Sequence, residues 1–266
     1  MTIPFFKYQG TGNDFVLIDN RDGKYQGLTE AQVAFLCNRR FGIGGDGLML
    51  LNQKPGMDFR MEYYNSDGKP SSMCGNGGRC IARLAKNLKI IKDRAVFEAV
   101  DGMHEAIIDG DWVRLRMGAV AEITPREGHF LLDTGSPHYV RFVRDVKHID
   151  VAAEGATVRY SPDFEAQGIN VNFVQEVNSD SIFVRTYERG VEAETWSCGT
   201  GVTASALVFA REKGIVGAIR KAGATKINVR TLGGDLTVEF DSRSGVFDPI
   251  WLCGPAEFVF QGEVSI

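Results

Sequence analysis

The sequence predicts an α+β chain made of two homologous domains related by pseudo-twofold symmetry. One pattern of strands and a helix occurs twice in its 266 residues, and in each copy a Cys-Gly-x-Gly segment opens the helical run. In the first copy MEYYNSDG (61–68) leads into SSMCGNGGRCIARLA (71–85), and in the second VRTYERG (184–190) leads into ETWSCGTGVTASALVFA (194–210). Both read as a strand-like stretch with Tyr near its end, a polar turn containing Gly, and then a helix.

The match extends outward on both sides. Upstream, GTGNDFVLI (10–18) stands against TGSPHYVRF (134–142), a Gly-containing loop running into a strand-like stretch. Downstream, VFEAVDGMHEAII (96–108) stands against INVRTLGGDLTVEF (227–240), each two strands joined through a Gly turn. WVRLRMG (112–118) then stands against IWLCGPA (250–256). A repeat this long is no solenoid period. The second helix carries Val202, Ala204, Ala206, Leu207, Val208 and Ala210, small or apolar residues on nearly every face, which predicts a helix buried all round by the strands of its own half. The boundary is expected near Gly118-Ala119, before the Thr124-Pro125 break. This makes 1–118 the half carrying Cys74, with the tail 254–266 packing back on it, and 119–253 the half carrying Cys198.

Composition narrows the function classes. A net charge of −4 with a pI of about 5.7 offers no basic field to nucleic acid or to an anionic membrane. Arg39-Arg40, the densest early basic pair, reads as a solvated helix end. The N-terminus MTIPFFKYQG lacks the pattern of a secretory leader. No stretch approaches the roughly 18 apolar residues of a membrane span. The expectation is a cytoplasmic protein acting on a small molecule.

The five cysteines are Cys37, Cys74, Cys80, Cys198 and Cys253. Their odd number and irregular spacing fit reduced thiols better than a disulfide framework, and with no close CxxC pair no metal site is expected. Cys37 in AQVAFLCNRR, Cys80 beyond the first motif and Cys253 in a strand-like stretch read as small buried hydrophobes.

Cys74 and Cys198 differ because each stands at a predicted helix start, before glycines. A helix N-terminus stabilises a thiolate through its unpaired backbone N–H groups and the positive end of its dipole. The same N–H groups can hold a carboxylate, and glycine lets the backbone come close to a ligand. A single such cysteine would read as a nucleophile. Two, in repeated positions, suggest inversion at a stereocentre: one thiolate removes a proton, and the other thiol supplies one from the opposite side. Charge at the deprotonated carbon would be stabilised by the helix N-termini, so no cofactor is expected. If the thiols face each other, oxidation could join them and would abolish this chemistry.

Seven segments resemble the diaminopimelate epimerase family: GTGNDF (10–15), GIGGDG (42–47), YNSDG (64–68), CGNGGRC (74–80), NVNF (170–173), YERG (187–190) and CGTG (198–201). They occur in the family's order and span nearly the whole chain. The resemblance implies two similar domains, each a β-barrel-like sheet around a central helix. It also implies cofactor-independent interconversion of LL- and meso-diaminopimelate, a step of lysine and cell-wall precursor synthesis. By that resemblance Cys198 is the base toward the LL isomer and Cys74 the proton donor, with His138 and Glu188 helping to deprotonate the thiols. Substrate contacts carry over to Asn13, Asn65, Gly75, Asn76, Asn170, Glu188, Arg189, Gly199 and Thr200. Two positions depart from the family's pattern: Gly47 stands where Gln is common, and Ser136 where Asn is common. A homodimer is compatible with the chain.

Other readings stay open on the residues alone. A racemase or epimerase for proline, hydroxyproline, histidine or another amino acid would share the mechanism and differ in the distal pocket. An isomerase of the phenazine-synthesis type would not need paired cysteines, and a non-enzymatic binding protein would need neither thiol.

Overall fold

The structure is a computed structural model that describes residues 1–71, 73–215 and 224–266. Ser72, inside the first motif, lies outside the described residues. The chain divides into two units, one comprising Met1–Leu115 with Gly254–Ile266 and the other Arg116–Cys253.

The first unit runs β1 (Thr2–Gly10), β2 (Asn13–Asp19), α1 (Glu30–Cys37), β3 (Gly47–Asn52), β4 (Phe59–Asn65), α2 (Gly75–Asn87), β5 (Arg94–Ala99), β6 (Gly102–Asp109) and β7 (Trp112–Met117), the last crossing into the second unit. The second continues with β8 (Thr124–Arg126), β9 (His129–Asp133), β10 (Pro137–Phe142), α3 (Val151–Arg159), β11 (Asn170–Asn178), β12 (Ser181–Glu188), β13 (Ala193–Thr195), α4 (Gly199–Glu212), β14 (Thr225–Thr231), β15 (Gly234–Arg243) and β16 (Val246–Pro255). Strand β17 (Glu257–Ser265) returns to the first unit and pairs antiparallel with β1.

The predicted repeat holds strand by strand. In the first unit β1–β2 is antiparallel, β2–β3 parallel, β3–β4 antiparallel, β4–β5 parallel, and β5–β6 and β6–β7 antiparallel. In the second, β9–β10 is antiparallel, β10–β11 parallel, β11–β12 antiparallel, β12–β14 parallel, and β14–β15 and β15–β16 antiparallel. A helix lies at the same two places in each order: α1 and α3 after the second strand, α2 and α4 after the fourth. Each parallel pair requires a crossover rather than a hairpin. In both units the long central helix makes the second of these crossovers.

That helix is the centre of each core. In α4 every residue from Val202 to Ala210 is buried, and the helix packs against β9, β10, β11, β12, β14 and β15. Ile227, Val229, Leu236, Val238 and Phe240 alternate along β14 and β15 to face the same cluster. In the first unit α2 buries Cys80, Ile81, Ala82, Leu84 and Ala85 against β1, β2, β3 and β6. Cys37 and Cys253 are buried too, and burial pushes the Cys37 and Cys80 thiols up to about 12. These two remain protonated and act as apolar filling.

Because α4 is enclosed by its own strands, truncating it should destabilise the protein strongly. Leu207→Ala is expected to cost about 2–5 kcal/mol, read as a lower urea midpoint at an unchanged slope.

Candidate active site

Each unit presents its helix-capping cysteine in the same setting. Cys74 is the N-cap of α2 (φ −111°, ψ 121°) and Cys198 the N-cap of α4 (φ −107°, ψ 110°), and neither side chain caps its own helix. The first helical bonds run from Gly78 N to the Cys74 carbonyl and from Val202 N to the Cys198 carbonyl, both 2.8 Å. The amides of the first turns are thus not spent within the helices. Four residues named from the sequence form these turns: Gly75 and Asn76, buried at the start of α2, and Gly199 and Thr200 at the start of α4.

Steric limits explain the glycines. A Cβ on Gly77 would lie 1.9 Å from the Met49 methyl, one on Gly78 would lie 2.4 Å from the Met73 methyl, and one on Gly201 would lie 2.3 Å from Asn172 Oδ1. Neighbouring side chains already occupy the space a larger residue would need.

In the first unit the turn between β1 and β2 places Asn13. Thr11 and Gly12 both have positive φ (50° and 83°), the requirement of a two-residue type I′ hairpin. Asn13 Nδ2 donates to Asp46 Oδ2 at 2.6 Å, which leaves Asn13 Oδ1 to accept from Asn76 Nδ2 at 3.2 Å and to face Cys74 Sγ at 3.6 Å. Arg39 donates to both Asp14 oxygens (2.9 and 2.6 Å) and to Asp46 (2.7 Å), and Lys7 pairs with Asp14 at 2.6 Å. Burial alone would raise the Asp14 carboxyl, but bonds from Arg39 and Lys7 hold it at about 2. Arg39, read from the sequence as a solvated helix end, does stand exposed just past the α1 C-cap, and its guanidinium is also the clamp behind Asn13. The motifs GTGNDF and GIGGDG marked the places of Asp14 and Asp46, but their convergence with Lys7 and Arg39 was not foreseen, because charged residues far apart along the chain carry no local signal of pairing.

In the second unit Cys198 Sγ lies 3.4 Å from Thr200 Oγ1. Thr134 Oγ1 donates to the Thr200 carbonyl at 2.9 Å and ties the β9–β10 turn to the helix start. Ser136, Asn170 and Arg189 form one cluster. Asn170 Nδ2 donates to Ser136 Oγ (2.8 Å), Arg189 Nη2 to the same oxygen (3.3 Å), and the Arg189 amide to Asn170 Oδ1 (2.9 Å). Glu188 ends β12, half-buried next to Arg189. In the first unit Asn65 is exposed at the end of β4, opposite Gly47.

His138 is fully buried on β10. Burial, and secondarily the charge of Arg189, pulls its imidazole down to about 3, so it is neutral at physiological pH. Asn172 Nδ2 donates to the Tyr139 carbonyl (2.9 Å), while Asn172 Oδ1 accepts from Thr186 Oγ1 (2.9 Å). A carbonyl can only accept, so the amide orientation is set, and its contact with His138 Nδ1 at 3.1 Å makes that nitrogen the acceptor. The proton therefore sits on Nε2, which is buried and has no hydrogen-bond partner among the described residues. In this form His138 offers a donor rather than a base. Asn172, inside the NVNF motif, is the residue sequence reading passed over; the motif marked the place, and only the strand register shows that residue 172 meets His138.

Solved structures with this architecture include a PhzF-family phenazine biosynthesis protein from Bacillus anthracis, with a TM-score of 0.76 at 14% identity and full coverage of both chains. A hydroxyproline epimerase from Agrobacterium vitis gives 0.69 at 17% identity, covering 99% of this chain and 91% of that one. These likenesses define the fold class, a duplicated domain shared by epimerases, racemases and phenazine-type proteins. The diaminopimelate epimerase family model matches residues 5–123 and 130–259, and the chain belongs to that family of isomerases. A diaminopimelate epimerase from Flavobacterium psychrophilum is 47% identical over 97% of this chain and 99% of its own. One from Chlorobaculum tepidum is 40% identical over the same shares.

The buried neutral imidazole makes a pH prediction. The unfolded imidazole takes up a proton below about 6.5, whereas the folded one resists until about 3. This contribution is complete above 6.5 and is lost as pH falls from 6.5 toward 3. It amounts to about 2 kcal/mol between pH 7 and pH 5. Urea unfolding at those two pH values should show the loss, and His138→Gln should flatten it.

Proposed function

We infer that the protein interconverts LL- and meso-diaminopimelate without a cofactor, by proton transfer at the α-carbon between Cys74 and Cys198. The carrying observation is that both cysteines cap glycine-opened helices at equivalent places in a duplicated fold. Relatives bearing the epimerase name over nearly their whole length support the substrate.

In the direction from the LL isomer, the Cys198 thiolate takes the α-proton, and the electron pair of the C–H bond passes toward the α-carboxylate. First-turn amides at Gly75, Asn76, Gly199 and Thr200 would hold that carboxylate as negative charge grows. The Cys74 thiol then delivers its proton to the opposite face of the carbon and becomes the thiolate. The configuration is inverted, and the enzyme is left in the complementary protonation state. In the reverse direction the thiols exchange roles. His138, neutral with its proton on Nε2, would support the thiol chemistry by donating to an anion, and Glu188 would serve as the carboxylate partner. Asn13, Asn65, Asn170 and Arg189 would hold the amino and carboxylate groups, Arg189 through its planar fork. The product feeds lysine and cell-wall precursor synthesis.

Reduced protein incubated in D2O with either isomer is expected to incorporate deuterium at the α-carbon as the isomers interconvert. Cys74→Ala and Cys198→Ala should each lower turnover by at least about 100-fold. Absence of exchange by folded, reduced protein would exclude this function. Exchange with proline or hydroxyproline but not with diaminopimelate would reassign the substrate while keeping the mechanism.

A further inference from the structure

We propose that Asn172 is a positioning residue of the Cys198 half: one carboxamide both bars His138 from taking up a proton and lies under the turn that carries the thiol. The inference rests on the epimerase reading. It adds to that reading a reason why a proton taken from the substrate would stay on sulfur.

Strand register brings the parts together. On β11, Asn170 stands opposite His138 of β10, and Asn172, two residues on, stands opposite Thr186 of β12. Opposed residues, and residues two apart along a strand, share one face of a sheet. The start of α4 lies on that face. A Cβ on Gly201 would stand 2.3 Å from Asn172 Oδ1 and 3.4 Å from Cys198 Sγ. Asn172, fully buried, therefore touches the histidine on one side and the cysteine's own helical turn on the other. Filling this space does not call for an amide. At the matching turn of the first unit, the Met49 methyl lies 1.9 Å from where a Gly77 Cβ would be.

A buried amide is costly unless its polar atoms are bonded, and this one is fully spent. Both Nδ2 hydrogens go to acceptors, the Tyr139 carbonyl at 2.9 Å and His138 Nδ1 at 3.1 Å, while Oδ1 accepts from Thr186 at 2.9 Å. Turning the amide over would set its oxygen against the Tyr139 carbonyl, so the arrangement has one orientation. An imidazolium carries a proton on each nitrogen. Protonating His138 would therefore set Nδ1–H against an amide N–H, two donors facing each other. Burial, and after it the charge of Arg189, already disfavours the cation. The lone pair that could hold a proton is thus occupied, whereas Nε2–H is buried with no hydrogen-bond partner among the described residues. Under the epimerase reading His138 can then donate to an anion but cannot draw the α-proton away from Cys198. The proton remains on a group able to return it.

The test is nitrogen NMR of the full chain labelled with 15N-histidine, joined to steady-state kinetics on both isomers. The proteins are wild type, Asn172→Asp and Thr186→Val, with His138→Gln to assign the signal. Wild-type His138 should be neutral with its proton on Nε2, unchanged between about pH 8 and about pH 5, where an ordinary imidazole titrates. Asn172→Asp keeps the size and the bond from Thr186 but turns the donor at Nδ1 into an acceptor. A proton should then appear on Nδ1, and kcat should fall by about 100-fold in both directions, the scale of one misplaced donor. Thr186→Val removes a bond to the same amide without altering what faces Nδ1. It should lower the thermal midpoint yet leave the Nε2 proton in place and kcat nearly unchanged. A wild-type His138 that titrates in that range, or carries its proton on Nδ1, overturns the proposal without recourse to any variant. So does a folded Asn172→Asp protein that keeps the wild-type signal, or a Thr186→Val protein that loses it. A moved proton with wild-type kcat overturns the link to the chemistry. The NMR result does not depend on turnover, so absence of α-proton exchange by the wild type overturns the epimerase reading separately.

Discussion

A helix whose opening turns are buried has to enter its sheet through a turn that is already full. Both units meet this constraint with the same solution. At the entrances of α2 and α4 the space beside Gly77, Gly78 and Gly201 is taken by the side-chain ends of Met49, Met73 and Asn172, so a larger residue has to displace them. The residue before each turn keeps extended backbone angles, and its side chain takes no part in capping. The packing that stabilises each half therefore also leaves a thiol beside unspent backbone donors. Under the proposed mechanism, stability and chemistry would come from one piece of covalent structure.

Duplication gives two similar half-sites but not two identical ones. Aligning β2 with β10 sets Asp14 against His138, since Asn13 and Pro137 each begin the antiparallel pairing with the preceding strand of their unit. One half places there a carboxylate neutralised by Lys7 and Arg39, and the other an uncharged imidazole held by Asn172. Cys74 faces a carboxamide oxygen, whereas Cys198 faces a hydroxyl that can donate or accept. An epimerase working between stereoisomers that are not mirror images has no need of symmetric environments. Under the proposed mechanism it needs two thiols that can each be left charged in turn, and different local partners can satisfy that.

The repeat was legible in the sequence because it lies in glycines, cysteines and alternating strands, all of which leave periodic or local marks. The full burial of α4 was legible for the same reason, since small residues on every face of a helix leave no polar side for water. The shell behind the site was not. Lys7, Asp14, Arg39 and Asp46 converge from β1, β2 and the two ends of the α1–β3 loop, and Arg39, with 58% of its side chain exposed, looks locally like any surface arginine. The protonation of His138 depends on an amide that Thr186 and Tyr139 orient from different strands. Such information resides in register, and register is set by the whole sheet rather than by neighbours in sequence.

The two departures from the family pattern show how a local change is absorbed. At Ser136 a shorter side chain sits where an amide is common, yet its hydroxyl oxygen accepts from both Asn170 and Arg189. A hydroxyl that accepts twice still has its own proton to give. Ser136 can thus hold the two longer side chains in place and keep one donor for a ligand, a role that needs little reach of its own. At Gly47 the change runs the other way: a side chain is removed, and a ring from the neighbouring strand occupies the space.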